Sequence, residues 1–221
     1  MHDIIINEKI LSKNMEIAAE NRERLKNKGI FTINLISSPG SGKTALVEKT
    51  VEALKDEIKV AVIEGDIQGD LDTQRLMKFG IPVRQINTGR SCHLDAHMIR
   101  HTLPGLFDQG EIDFLIIENV GNMVCPAEYD LGEDLKVSVM SVTEGDDKPL
   151  KYPAMFHASN YLLINKVDLH PYTNFDLERA KANALKMNPE LKIFETSCTE
   201  GTGIEKWIDE MRGKLADKPK D

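Results

Sequence analysis

Short apolar runs rich in β-branched residues recur along the chain, at 30–36, 59–64, 82–87, 113–118, 135–142, 161–165 and 192–196. Each has the length of a strand. Between several of them, apolar positions repeat at helical spacing, over 43–57, 71–79, 92–103, 176–186 and 204–215. Strands alternating with helices predict an α/β fold, a mostly parallel β-sheet with helices on both faces. Ahead of the first run, Ile10, Leu11, Met15, Ala18 and Leu25 predict an amphipathic helix over 7–28, with Asn7 as its cap and Gly29 as its stop. The pattern therefore divides into an N-terminal helical extension (1–29), one α/β domain (30–216) and a short polar tail (217–221) that is expected to fray. No internal repeat is present.

Composition narrows the class. A chain of 221 residues accommodates one substantial domain with an extra terminal helix, and is short for two cores. A formal net charge of -8 argues against a nucleic-acid surface, which would need clustered Lys and Arg. No apolar run approaches the length that spans a bilayer, and the first residues lack the basic region and long apolar stretch of a signal peptide. Three cysteines are too few and too odd a number for a disulfide framework, so the expected setting is a reducing cytoplasm.

The turn after the first strand reads Ser37-Ser38-Pro39-Gly40-Ser41-Gly42-Lys43-Thr44, followed by Ala45. Gly42, Lys43 and Thr44 match the end of the phosphate-binding G-x-x-x-x-G-K-[ST] loop, with Ser37 in place of its first glycine. Such a loop works because backbone N–H groups converge on phosphates where a helix begins and its dipole favours negative charge. In this reading Gly40, Ser41, Gly42 and Ala45 line the phosphates, Lys43 reaches the β- and γ-phosphates, and Thr44 ligates Mg²⁺. The alternative, a turn that merely ends in Lys-Thr, does not account for its position between a strand and a helix.

The sixth run ends in Asn165-Lys166-Val167-Asp168, which resembles the N-K-x-D guanine-reading motif. A carboxylate at Asp168 can accept from guanine N1–H and its exocyclic amine, a donor pair that adenine lacks. Asn165 can tie the two nucleotide loops together and the Lys166 stem can lie along the base. Ser197 and Cys198, after the last strand, resemble the further guanine-contacting loop of GTPases. GTP is therefore the expected nucleotide. For the magnesium and switch region, Asp66 and Glu118 at strand ends are the candidate Mg²⁺ contacts, with the glutamate departing from the usual aspartate. Gly121 is placed to sense a γ-phosphate through its N–H, and Asp70 and Asp72 lie in a loop that can position water. A solvated-loop role for each aspartate is an equal alternative. Lys43, Asp66, Asp72 and Glu118 form the candidate catalytic set. No glutamine obviously orients water, so hydrolysis is expected to be slow.

Cys92-His93 opens a predicted helix, and Cys125 follows Glu118 closely. If the strands ending at Asn87 and Glu118 are neighbours, these three residues approach one another and offer soft or borderline ligands suited to Ni²⁺ or Zn²⁺. Three ligands are one short of a closed tetrahedron, leaving room for water or for ligands shared across a two-fold axis. The alternative is that the cysteines are small buried apolar residues. His97 and His101 continue from His93 at i+4 steps as auxiliary ligands or as a solvated face.

Taken together, 37–44, Cys92-His93-Leu94-Asp95-Ala96, the stretch from Glu118 to Ala127 (ENVGNMVCPA), Asp130-Leu131-Gly132-Glu133 and Asn165-Lys166-Val167-Asp168 resemble the HypB family of hydrogenase nickel-incorporation GTPases. The resemblance covers nearly the whole chain. It implies a SIMIBI-class G domain, GTP-dependent homodimers, and metal held by Cys92, His93 and Cys125 at or near the dimer interface. It also implies work with other hydrogenase maturation factors and the hydrogenase large-subunit precursor. The related urease chaperones carry Cys-Pro-His instead, and the chaperones of cobalamin-dependent mutases lack the Cys-His/Cys set. Residues 1–28 hold only His2 and no cysteine, so the nickel-storing N-terminal tract of many members is not expected here. Two rivals remain: a nucleotide-dependent scaffold that does not hydrolyse GTP, and a small-molecule kinase.

Overall fold

The computed structural model describes residues 2–67, 69, 71–89 and 91–218, with the side chains of 2–8 and 71 excepted. Asp70 and the last three residues of the tail lie outside them. Among the described residues, seven strands form one parallel sheet: β1 (Phe31–Ser37), β2 (Val60–Asp66), β3 (Val83–Asn87), β4 (Phe114–Gly121), β5 (Leu135–Ser141), β6 (Tyr161–Asn165) and β7 (Lys192–Glu195), in the order β3-β2-β4-β1-β5-β6-β7. The predicted class and every predicted strand are present, with boundaries agreeing to within three residues.

Successive side chains leave opposite faces of the sheet, so the buried residues of each strand divide between two cores. Ile33, Val62, Phe114 and Ile116 meet one core with Leu46, Val51, Trp207 and Met211 of α2 (Lys43–Leu54) and α9 (Ile204–Ala216). Ala61, Ile63, Leu115 and Ile117 face the other side, where Ile99, Leu103 and Leu106 of α4 (Ala96–Phe107) and Leu25 of α1 (His2–Lys26) cover them. Phe156, Ala180 and Ala184, from α7 (Pro153–Ala158) and α8 (Leu177–Met187), complete that face against Ile36, Leu162 and Ile164. With both faces covered, the strands read as continuous apolar runs. The remaining helices are short: α3 (Leu71–Met77), α5 (Cys125–Glu128), α6 (Lys148–Lys151) and a 3₁₀ turn, Val167–Tyr172. At four residues, α5 and α6 are too short to show helical periodicity, and the sequence pattern does not predict them.

Two boundaries differ in ways that matter. Helix α1 begins at His2, so Asn7 lies inside it and is not its cap; Gly29, at φ 68°, ends it as expected. Helix α4 begins at Ala96, capped by the Asp95 carboxylate accepting from Met98 N at 2.8 Å. Cys92 and His93 therefore precede the helix instead of opening it. Helix α1 is fixed by polar groups: Asn14 and Asn21 hydrogen-bond both backbone groups of Ala96 and the carbonyls of Asp130 and Leu131, and Arg22 grips the Asp130 carboxylate.

Candidate functional site

The first strand delivers the chain into a turn whose geometry only glycine tolerates. Gly42 has φ 97°, and a Cβ there would stand 2.4 Å from Asn165 Nδ2. That close approach lets Asn165 donate to Ser41 O at 3.0 Å, while Lys166 Nζ donates to Gly40 O at 2.7 Å. The two sequence motifs are thus joined, as the reading of Asn165 anticipated. Asn165 Oδ1 accepts in turn from Thr196 Oγ1 at 3.3 Å and Cys198 Sγ at 3.6 Å, which brings the last strand's loop into the same constellation. Burial pushes the Cys198 thiol above its usual range. Ser197 is buried and caps its own turn, accepting from Glu200 N at 3.0 Å. Asp168 sits in the first turn of the 3₁₀ segment, directly beyond Lys166.

A cleft of about 330 Å³ opens where the parallel strands end. Its lining includes Gly40, Gly42, Lys43, Thr44 and Ala45 from the loop and Asp66, Asp72, Glu118 and Gly121 from the opposing segments, so the phosphate and switch residues picked from sequence, Ser41 apart, converge there, while Asn165, Lys166, Asp168, Ser197 and Cys198 lie outside the lining. A larger hollow of about 740 Å³, lined by Leu54, Glu57, Asp113 and Arg212, lies at the opposite ends of the strands and contains none of the motif residues. In open α/β sheets ligands bind beyond the carboxyl ends of strands, which favours the smaller cleft.

The floor of the cleft is electrostatically loaded. Lys43 is buried and donates to Ser37 Oγ at 2.8 Å, so Ser37, where the motif usually has glycine, holds the lysine in place. Burial pushes the ammonium below its usual value against the opposing pull of Glu118. Thr44 Oγ1 donates to Glu118 Oε1 at 2.7 Å, while Glu118 Oε2 is buried without a partner. Burial lifts the Glu118 carboxyl to about 7. Glu64 stands opposite Glu118 in the β2–β4 register and hydrogen-bonds Thr73; it too is raised by burial. Asp66 turns its two oxygens to Ile67 N (2.6 Å) and Gly69 N (2.7 Å), bracing the loop that follows. Asp72 pairs with Arg75 at 3.1 Å. Sequence reasoning missed Glu64 and Arg75; both line this cleft, and the strand-end position of Glu64 beside Asp66 was the available signal.

Strand β2 lies between β3 and β4, so the strands ending at Asn87 and Glu118 are not neighbours. Cys92 and His93 nevertheless reach Cys125, because the loop after β3 crosses the end of β2. Leu94 packs on Gly65, where a Cβ would stand 2.8 Å from the leucine Cγ. The loop is then anchored to β4 and its extension: Asn119 Oδ1 accepts from Leu94 N at 3.1 Å, and Asn122 Nδ2 donates to Cys92 O at 3.2 Å. Cys92 Sγ lies 3.0 Å from Cys125 Sγ and 3.7 Å from His93 Nδ1, and one ligand atom from each of the three residues falls within 4.8 Å of the others. The hydrogen bond shared with Cys92 and, next, burial raise the Cys125 thiol, while burial lowers His93, whose ring lies 3.9 Å from that of Tyr129. The arrangement offers two thiols and a neutral imidazole to a thiophilic cation. His97 and His101 form a separate pair on α4, Nε2 to Nε2 3.1 Å, and His93, being outside the helix, does not share their face.

The family described as CobW/HypB/UreG, nucleotide-binding domain, matches residues 31–195. The hydrogenase maturation factor HypB of Azotobacter vinelandii is 52% identical over 203 residues, 92% of this chain and 67% of its own length. The chain thus spans about two thirds of that curated relative. Among solved structures, HypB from Archaeoglobus fulgidus superposes with a TM-score of 0.87 at 44% identity, covering 92% of this chain and 99% of that one. HypB from Helicobacter pylori in complex with nickel gives 0.89 at 41%, covering 95% and 98%. The signal recognition particle receptor FtsY of Elizabethkingia anophelis, 16% identical with a TM-score of 0.53 over 75% of this chain and 56% of that one, shares the fold alone.

Proposed function

The chain belongs to the HypB family of hydrogenase maturation factors, and from that premise we propose that it is a GTP-hydrolysing metallochaperone that assists nickel insertion into [NiFe]-hydrogenase. The observation that carries the reading is the convergence of Cys92, His93 and Cys125 on loops that adjoin the phosphate cleft. Two thiols 3.0 Å apart and a nearby imidazole are soft and borderline donors of the kind that bind Ni²⁺ or Zn²⁺. Three ligands leave a position open for transfer, and that suits cargo better than a structural staple. Further ligands are expected from a second copy of the chain when GTP drives dimerisation.

Residues 40–45 and Gly121 receive the phosphates, and Asn165, Lys166, Asp168, Ser197 and Cys198 receive the guanine. Glu118 Oε2, buried and unpartnered beside the Thr44 hydroxyl, fits a hard cation, so Thr44 and Glu118 would hold Mg²⁺, with Asp66 contributing through water. Bound there, the ion supplies positive charge to the phosphates. Asp72 serves the attacking water. Nucleotide state reaches the cargo because Glu118 and the Asn119–Leu94 contact are consecutive in one strand, and any such coupling is reciprocal in equilibrium binding. Among the described residues no helix is long and apolar enough to cross a membrane. We place the protein in the cytoplasm, working with other maturation factors and the hydrogenase large-subunit precursor.

The test is nickel and zinc titration of the protein against a Cys92→Ala, Cys125→Ala variant, with light scattering in GDP and a GTP analogue. Loss of tight metal binding in the variant, with analogue-dependent dimers in the parent, is expected. Unchanged metal binding would remove the chemical basis of nickel delivery. The scaffold alternative is separated by multiple-turnover phosphate release, and the kinase alternative by guanine-over-adenine preference.

A further inference from the structure

The phosphate cleft carries a charge problem that its loop does not solve. Its lining holds four carboxyl groups, Glu64, Asp66, Asp72 and Glu118, and among the described residues two cations, Lys43 and Arg75. A triphosphate brings several more negative charges, which grow on the terminal oxygens as the β–γ bond breaks. Lys43 is committed, buried and held by Ser37 Oγ. Arg75 is different. Its side chain is half exposed, on the short helix α3 immediately after the loop braced by Asp66.

Arg75 is at present parked. One terminal nitrogen donates to Glu48 Oε2 at 2.5 Å, Nε donates to Glu48 Oε1 at 3.3 Å, and the other terminal nitrogen donates to Asp72 at 3.1 Å. Two features help it leave. Arg75 is itself half exposed, so water takes up the freed guanidinium, although Glu48 is mostly buried and holds it through two bonds. Lys78 Nζ also donates to Glu48 Oε1, at 3.0 Å, so Glu48 keeps a cation when Arg75 departs. Departure also frees Asp72, whose carboxylate faces the same cleft.

We propose that Arg75 is a further catalytic residue of this site, its guanidinium moving from Glu48 and Asp72 onto the γ-phosphate oxygens of bound GTP. The proposal rests on the reading of the chain as a GTPase. In the reaction, a water oxygen bonds to the γ-phosphorus and the bond from that phosphorus to the β–γ bridging oxygen breaks. The electron pair stays on GDP, inorganic phosphate forms and the surplus proton passes to solvent. Arg75 donates hydrogen bonds to the γ-oxygens throughout and is not consumed. A planar, permanently charged fork suits a phosphoryl group better than a lysine point charge does.

The test compares the full-length protein with Arg75→Ala, Arg75→Lys and Glu48→Ala, by phosphate release and by the affinities for GDP and for GTPγS. In Arg75→Ala, kcat falls at least about 10²-fold, a modest value for a transition-state arginine. GDP affinity changes by less than about 3-fold, and the preference for GTPγS over GDP shrinks about 10-fold, as loss of charge-assisted hydrogen bonds implies. Arg75→Lys recovers only part of kcat, and guanidinium ion added to Arg75→Ala restores some of it. Glu48→Ala, which only unparks the arginine, hydrolyses GTP at the parent rate or faster. Parent-like turnover and parent-like GTPγS preference in Arg75→Ala would overturn the proposal. So would equal losses in Arg75→Ala and Glu48→Ala, which would mark the ion pair as a brace for α3. A parent that binds GTPγS but releases no phosphate refutes the GTPase reading itself, whereas the GTPγS preference still decides whether Arg75 meets the γ-phosphate.

Discussion

Gly65→Ala tests how the metal loop is seated. The added methyl would meet Leu94 Cγ and Cδ1 at 2.8 Å and Cδ2 at 3.0 Å, and Leu94 is fully buried on a short, branched side chain with little freedom to turn away. Overpacking of this kind costs about 1–3 kcal/mol. Against it, replacing glycine within a strand recovers about 0.5–1 kcal/mol of backbone entropy. The clash wins, and the net destabilisation should be roughly 0.5–2 kcal/mol. The displacement falls on the residue whose N–H is held by Asn119, one position beyond His93. Metal affinity should therefore drop along with stability.

A double-mutant cycle separates this account from a general loss of fold. Leu94→Ala alone removes a fully buried side chain and should cost about 2–5 kcal/mol. In the double variant the alanine methyl at position 65 enters space that the leucine has left. Its cost should then be less than the sum of the single costs by about 1 kcal/mol or more. Urea denaturation gives the three stabilities and nickel titration the accompanying affinities. Strict additivity, or a Gly65→Ala protein with parent stability and parent metal affinity, would refute the claim that Leu94 on Gly65 carries the loop across β2.

The nucleotide cleft yields three further expectations. Burial lifts Glu118 from 4.5 to about 7, so the folded apo-protein binds a proton that the unfolded chain releases, and stability falls as pH rises through that window. The linkage amounts to roughly 3 kcal/mol, and Glu118→Gln should flatten the stability change between pH 5 and pH 7.5, leaving the part that Glu64 contributes; an unchanged slope would exclude Glu118 as a source. Asn165→Ala leaves Ser41 O without its donor and should cost about 1–3 kcal/mol of stability, with GDP affinity falling in the same titration. Asp168→Ala should weaken guanine nucleotides by about 10²-fold while leaving adenine nucleotides unaffected, read by competition binding.

What the sequence disclosed, and what it withheld, follows from where the signals live. Strand positions were legible because the sheet is covered on both faces, and strand-length apolar runs broken by turns fit few arrangements besides a buried parallel sheet. The phosphate-loop and N-K-x-D motifs stood out because each fixes both residue type and spacing, and the hydrogen bond from Asn165 to Ser41 O joins the two segments in space. The route by which Cys92 meets Cys125 was not legible in the same way. Adjacent strand ends were expected, but β2 separates them, and contact depends on a loop crossing at Gly65, a glycine between two acids with no motif around it. Arg75 was equally hidden. Its place rests on the cleft it lines and on Lys78, a second cation on Glu48, neither of which spacing along the chain encodes.

The crossing also accounts for nucleotide and cargo chemistry sharing one end of the sheet. Strand β4 contributes Glu118 to the phosphate cleft and, at the next residue, Asn119 to the loop that carries Cys92 and His93. Six residues later its extension supplies Cys125. A strand is stiff along its length, so under the proposed reading a shift imposed on Glu118 by bound nucleotide would be delivered to Asn119 with little loss. The two sulfurs sit on opposite sides of that delivery, Cys92 on the crossing loop and Cys125 on α5 beyond β4. A relative movement of a few tenths of an ångström between loop and helix changes their separation directly, and metal affinity is sensitive to ligand geometry. The proposed coupling would need no distant relay. It follows from one strand serving both sites, with Gly65 allowing the second to be built across the first.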